Sequence, residues 1–171
     1  IPLETWPQWH WKMAQQRTKH ASKPTDWPVA NRGMMDWLLG ELRDKGPLPA
    51  SRIEHDANRR RGGWWEWSDV KLGLEYLFRF GEVVSAGRTR FERTYALADQ
   101  VFPAALLAEE VDPHEATRAL MLSAAQSLGI ATLSDLADYY RLLQNHAGSA
   151  VSELVAEGSL LPVTVAGWDR G

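Results

Sequence analysis

The residues of this chain best suited to binding a charged partner are arginines in two short groups and a lysine–arginine pair between them. Arg59, Arg60 and Arg61 run together ahead of Gly62-Gly63, and Arg88, Arg90 and Arg93 recur across a strand-forming segment. A planar guanidinium matches phosphate geometry, and contacts of this kind hold a protein on a nucleic-acid backbone without reading sequence. The plain alternative is a solvated loop and a charged hairpin edge that discourages strand pairing. Lys71, Glu75 and Arg79 lie at four-residue spacing. That is more simply an ion-pair ladder along one helix than a base-reading surface. Glu75 can accept from cytosine N4, but otherwise it repels phosphate. Trp64, Trp65 and Trp67 have a simple role in covering the core. The alternative is that Trp64 or Trp65 stacks on an unstacked base.

Other chemistry finds little support. His10, His20, His55, His114 and His146 are scattered, with no His-x-x-x-His pair, so no metal site is expected. Neither a phosphate-cradling loop ending in Lys-Ser/Thr nor a Gly-x-Ser-x-Gly elbow occurs, and no cofactor is expected. Glu109-Glu110 reads as solvated charge rather than an acid–base pair. Zero cysteines exclude disulfides and thiolate chemistry and fit a cytoplasmic protein. With no apolar run near the roughly 20 residues of a membrane helix and no secretory pattern, no membrane partner is expected.

The stretch 64–84 must position the cations. Ser68 is a good helix N-cap and Asp69 suits the positive helix start. Trp67 and Leu72 are spaced to form a hydrophobic staple. Val70, Leu74, Leu77 and Phe78 share one helical face, and Gly81 supplies the left-handed stop. Val83 to Arg88 and Phe91 to Leu97 read as two strands with Gly87 to Arg90 at or near the turn. Phe91, Tyr95 and Leu97 are expected on one side. Upstream, a helix from about Arg32 to Lys45 carries Met34 or Met35, Leu38, Leu39 and Leu42, and Gly46-Pro47 ends it. A second short helix is expected from Pro49 to about His55, with Ile53 inward. Residues 1–30, rich in Trp and Pro, read as a connector with a short helix near Trp9 to Arg17.

The second half repeats the plan. Asp112-Pro113-His114-Glu115 is a helix start with a capping box, and Ala116, Leu120, Ala124 and Leu128 keep the period to Gly129. Thr132 opens a short helix ending near Tyr140. A third helix runs from about His146 to Glu157, with Val151, Leu154 and Val155 inward, and Leu160 to Ala166 reads as a strand. Leu77 to Val84 parallels Leu154 to Leu161, an internal repeat. The expected fold is therefore α+β, mainly helical, with two tandem winged helix-turn-helix units: a connector over 1–30, one unit over 31–101 and a second over 102–171, its wing truncated.

Charge divides along the chain. Residues 1–93 hold 16 Lys+Arg against 12 Asp+Glu, a balance of +4, whereas residues 94–171 hold 3 against 10, a balance of −7. An anionic partner should prefer the first part. The second unit's third helix carries Glu153 and Glu157 and no cation, so it is expected to pack rather than enter a groove alone. The chain starts Ile1-Pro2, and it is expected to be a piece of a longer protein.

Arg61 to Ser68, Leu74 to Phe78, Gly81-Glu82 and Phe91 to Leu97 closely resemble the middle of the bacterial winged-helix DNA glycosylases of the AlkZ/YcaQ type. Trp9 to Met13 is similar to the segment before that family's second winged helix. Asp135 to Tyr140 and Gly167-Trp168 are similar to its third. The resemblance covers nearly the whole chain. It implies tandem winged helices with a C-terminal β-barrel, and hydrolysis of the N-glycosidic bond of alkylated or crosslinked bases in double-stranded DNA. The family's Gln-x-Gln or Gln-x-Asp catalytic motif lies before the position of Ile1. Gln8, Gln15, Gln16, Gln100, Gln126 and Gln144 make neither pattern, so no catalytic residue carries over. The expectation is a DNA-binding scaffold piece, lacking the first winged helix and the barrel and inactive alone. Its backbone contacts would be Arg59, Arg60, Arg61, Lys71, Arg79, Arg88, Arg90 and Arg93. A winged-helix transcription regulator and a protein-interaction module remain the alternatives. The regulator would need a symmetric dimer and a base-reading helix, against which Glu75 weighs.

Overall fold

The structure is a computed structural model and describes residues 3–58 and 67–168. Arg59, Arg60, Arg61, Trp64 and Trp65 lie outside the described residues. The chain is mainly helical with a small antiparallel sheet, and it divides into two compact units: residues 1–6 with 12–109, and residues 7–11 with 110–171.

In the first unit the helices are the later part of α1 (His10–Ala21), α2 (Trp27–Ala30), α3 (Arg32–Lys45) and α4 (Asp69–Phe80). Helix α3 has the expected bounds. Its Met35, Leu38 and Leu42 are fully buried against Val70, Leu74 and Leu77 of α4, with Ile53, Val83, Tyr95 and Leu97 closing the same core. Burial of each such side chain stabilises by about 1.5–3 kcal/mol. Helix α4 starts and stops as its residues require. The Ser68 hydroxyl accepts from the Lys71 amide at 3.2 Å, and Gly81 ends the helix at φ 79°. Gly73 lets α3 come close: a Cβ there would stand 2.7 Å from the Leu38 Cδ1. Trp67, just before the cap, is half exposed, with the Lys71 ammonium 5.8 Å from its ring centre.

Three strands form the sheet, in the order β1 (Leu48–Pro49), β3 (Glu92–Leu97), β2 (Val83–Thr89). The helix expected over Pro49 to His55 is not formed. Leu48 and Pro49 pair with Tyr95 and Thr94, and only a 3-10 turn, Ala50–Arg52, follows. The Asn58 side-chain Nδ2 donates to the Ala50 and Ile53 carbonyls, both at 2.8 Å, which removes acceptors a helix would use. Ile53 is nonetheless buried. The β2–β3 hairpin has a bulge between Ser85 and Gly87, then Arg88↔Arg93 and Thr89↔Glu92. Tyr95 and Leu97 face the core as expected, but Phe91 does not, because the strand begins only at Glu92 and Phe91 falls in the turn. Short helices α5 (Ala98–Val101) and α6 (Ala104–Ala108) follow.

The second unit holds α7 (Pro113–Leu128), α8 (Leu133–Tyr139) and α9 (Gln144–Ala156). Leu120, Met121, Ala124, Leu136, Ala147, Ala150 and Leu154 form its core, and Trp9 and Trp11 pack on it. Asp112 caps α7 through the His114 and Glu115 amides. The capping box proper sits at Thr132 and Asp135, while the Glu115 carboxylate stands 3.6 Å from Arg118. The strand expected over Leu160 to Ala166 is absent. The Leu160 amide turns back to the Leu154 carbonyl at 3.0 Å, Pro162 has no amide to donate, and Leu161 and Val163 are exposed.

Candidate nucleic-acid interface

Among the described residues, four of the cations expected to grip a backbone fall into two physical classes. Lys71 and Arg93 are tied. Both converge on Glu75, whose carboxylate accepts from the Lys71 ammonium at 3.0 Å and from the Arg93 guanidinium at 3.1 Å. The Tyr95 hydroxyl donates to the same carboxylate, and the Lys71 ammonium also donates to that hydroxyl. The Arg93 guanidinium lies over the Phe78 ring, 4.4 Å from its centre. Only the Lys71–Glu75 rung of the expected ladder forms. Arg79 instead lies over its neighbour Tyr76, 5.7 Å from the ring centre.

This cluster sets its own electrostatics. Burial pushes the Glu75 carboxyl up, but the hydrogen bonds from Tyr95 and Lys71 and the charges of Lys71 and Arg93 outweigh it, so Glu75 is held below the usual carboxylate range. Burial likewise lowers Lys71, and its bonds to Tyr95 and Glu75 outweigh that and raise it. Burial and the bond to Glu75 raise Tyr95. The cluster clamps β3 to α4, because its members come from both elements.

Arg88 and Arg90 form the second class. Residues 85–91 are all exposed, beyond the last buried pair of the hairpin. Arg88 donates to the Phe91 carbonyl at 2.9 Å, and Arg90 occupies the turn at φ 58°. Among the described residues neither forms a salt bridge with a carboxylate. The nearest acid in sequence, Glu92, is engaged elsewhere: its carboxylate accepts from the Ser51 amide at 2.9 Å and hydroxyl at 2.6 Å. The hairpin tip therefore displays cations with the adjacent negative charge drawn back.

Tyr95, Ser51 and Phe91 have roles at this site that the sequence did not suggest. The signal for Phe91 was present in the two-residue loop between Thr89 and Glu92. Ser51 and Tyr95 gain their roles only through strand pairing. In the second unit the cation Arg118 is consumed by Glu153 at 2.8 Å and by Glu157, and His114 adds a contact to Glu153 at 2.8 Å. No grouping of three metal-ligating side chains occurs among the described residues.

The family profile described as DNA glycosylase AlkZ-like matches residues 1–171, the full length of the chain. The chain belongs to the AlkZ-like DNA glycosylase family. Membership of the AlkZ-like family relates the chain to DNA repair and makes DNA its partner, which fits a tip that exposes Arg88 and Arg90. No solved structure matches the chain. Among the described residues no single helix is long and apolar enough to cross a membrane.

Proposed function

We propose that this AlkZ-like chain is the DNA-gripping scaffold of a cytoplasmic repair glycosylase that excises alkylated or crosslinked bases from double-stranded DNA. In this reading residues 31–101 are one winged-helix unit and residues 102–171 a second whose wing is truncated. The order of helix α3, strand β1, a 3-10 turn in the place of the second helix, helix α4 and the β2–β3 hairpin supports this reading, with the hairpin as the wing. The catalytic motif, a first winged helix and a β-barrel belong to the remainder of the parent protein. The gripping residues are Arg88, Arg90 and Arg79, with Arg59, Arg60 and Arg61, which precede α4 in sequence. Lys71 and Arg93 aim the wing.

The observation that carries this reading is the hairpin tip, where two arginines without carboxylate partners stand clear of the core. The second unit contributes packing rather than grip, since Arg118 is held by Glu153 and Glu157. Binding of the 171-residue chain to labelled duplexes, followed by fluorescence anisotropy across a salt series, tests the proposal. Arg88→Ala with Arg90→Ala should weaken binding about equally across sequences. It should also flatten the plot of log K against log salt by about 1.8, roughly 0.9 for each phosphate no longer neutralised. An unchanged affinity and slope would refute the proposal.

A further inference from the structure

Phe91 is 96% exposed, the most exposed of the large apolar side chains described. It sits at the apex of the β2–β3 hairpin, in a two-residue turn with Arg90, since Thr89 pairs directly with Glu92. Neither turn residue serves the fold. Arg90 holds φ 58°, a conformation that favours glycine or asparagine, and Phe91 buries almost nothing. With positive φ at its first position alone, a turn chosen for stability would carry glycine there. The tip also gathers cations beside this residue. Arg88 donates to the Phe91 carbonyl, Arg90 precedes it, and Ser51 draws the Glu92 carboxylate away.

We propose that Phe91 is a wedge that enters the base stack of duplex DNA when the flanking arginines seat on the backbone. The inference rests on the hairpin gripping DNA, as proposed above. Apolar side chains that unstack a base step are a known means of kinking a duplex. The dimensions agree. Tyr95 is the buried residue of β3 nearest the tip, and Phe91 lies four residues beyond it, roughly 13 Å at about 3.3 Å per residue. The grooves of B-DNA are about 7.5–8.5 Å deep, so the ring reaches the base edges while the strands remain outside. The bulge at Ser85 and Gly87 bends the distal hairpin away from the plane of the sheet. The preferred ligand is a duplex whose stack is already broken, by a mismatch or an abasic site, because the unstacking cost is then least.

The experiment uses the full 171-residue chain and duplexes carrying 2-aminopurine, a base that brightens when unstacked, beside an abasic-site analogue or within intact sequence. The wild-type chain should raise the 2-aminopurine signal and bind the abasic duplex more tightly than the intact one. Phe91→Ala should abolish the signal and lower affinity for the abasic duplex by about five- to 150-fold, the range seen when a stacking aromatic is truncated. Its salt slope and thermal midpoint should stay as in the wild type, since Phe91 touches neither phosphate nor core. Phe91→Trp should restore the signal. A Phe91→Ala chain that brightens 2-aminopurine like the wild type overturns the wedge and leaves the hairpin's grip standing. A wild-type chain that binds no duplex overturns both.

Discussion

Replacing Glu75 by alanine should unseat the hairpin. The carboxylate is the shared acceptor of Lys71, Arg93 and Tyr95, and its loss leaves two cations and a phenol facing one another. Removing one partner from a fully buried ion pair costs about 3–5 kcal/mol. Here Glu75 is 15% exposed and Lys71 and Arg93 are each 26% exposed, so water relieves part of the penalty and about 2 kcal/mol is expected. For a body of roughly 100 residues, such as the first unit, 1 kcal/mol moves Tm by about 4–8 °C, so the midpoint should fall by about 8–16 °C. Glu75→Gln keeps the acceptor but loses the charge and should cost about half as much. The pH dependence has a definite sign. Glu75 is depressed in the folded state, so between its folded value and the ordinary carboxylate value of about 4.5 the unfolded chain binds more protons. Stability from this group is present above that window and is lost as pH falls through it. Differential scanning calorimetry of both variants between pH 3.5 and 7 is the assay, and the gap between wild type and Glu75→Gln should narrow toward the acid end. A Glu75→Ala chain that melts like the wild type and binds DNA more tightly would show Glu75 to be a surface acid that merely repels phosphate.

The other predictions follow the same geometry. Gly81→Ala should lower stability by about 2 kcal/mol, because φ 79° disfavours a Cβ and the Met13 sulfur occupies the space it would need; a chemical denaturation midpoint equal to the wild type would contradict this. Arg90→Gly should relieve the left-handed turn and change stability by less than about 1 kcal/mol, in the stabilising direction, while flattening the salt slope for DNA by about 0.9; a destabilised variant would show that the turn needs arginine. Arg93→Met should reverse that pattern, losing about 1 kcal/mol of stability with a small change in salt slope; a slope change as large as that of Arg90→Gly would place Arg93 on phosphate. Above pH 10 stability should fall, because Tyr95 and Lys71 are both raised and the unfolded chain releases those protons first; Tyr95→Phe should make the fall shallower in a pH series of thermal melts.

What was legible in the sequence is what local residues decide. Helix α3 is bracketed by its apolar stripe and Gly46, and α4 by Ser68 and Gly81, so their ends follow from caps that need no distant partner. The same holds for Asp112 and Thr132 at the starts of α7 and α8. The misread segments are those whose fate depends on distant chain. Pro49 to His55 carries helix-compatible residues, yet Leu48 and Pro49 are claimed by Tyr95 and Thr94 across the fold. Leu160 to Ala166 has strand composition, but among the described residues no strand of its unit is there to pair with it, and it is irregular.

The candidate site divides along the same line. Lys71, Arg79, Arg88, Arg90 and Arg93 are equivalent as letters, but Arg93 and Tyr95 reach Glu75 from 18 and 20 residues away, a distance no helical period encodes. A cation already satisfied by a carboxylate must break that bond before it serves a phosphate, and the exchange gains little. A cation that hydrogen-bonds only a backbone carbonyl, as Arg88 does, keeps its charge uncompensated and available. In the proposed reading, rigidity and grip therefore fall to different residues of one hairpin. Glu75, which as a letter counts against a DNA-binding surface, becomes the group that holds β3 on α4 while the arginines beyond it stay free to meet the backbone.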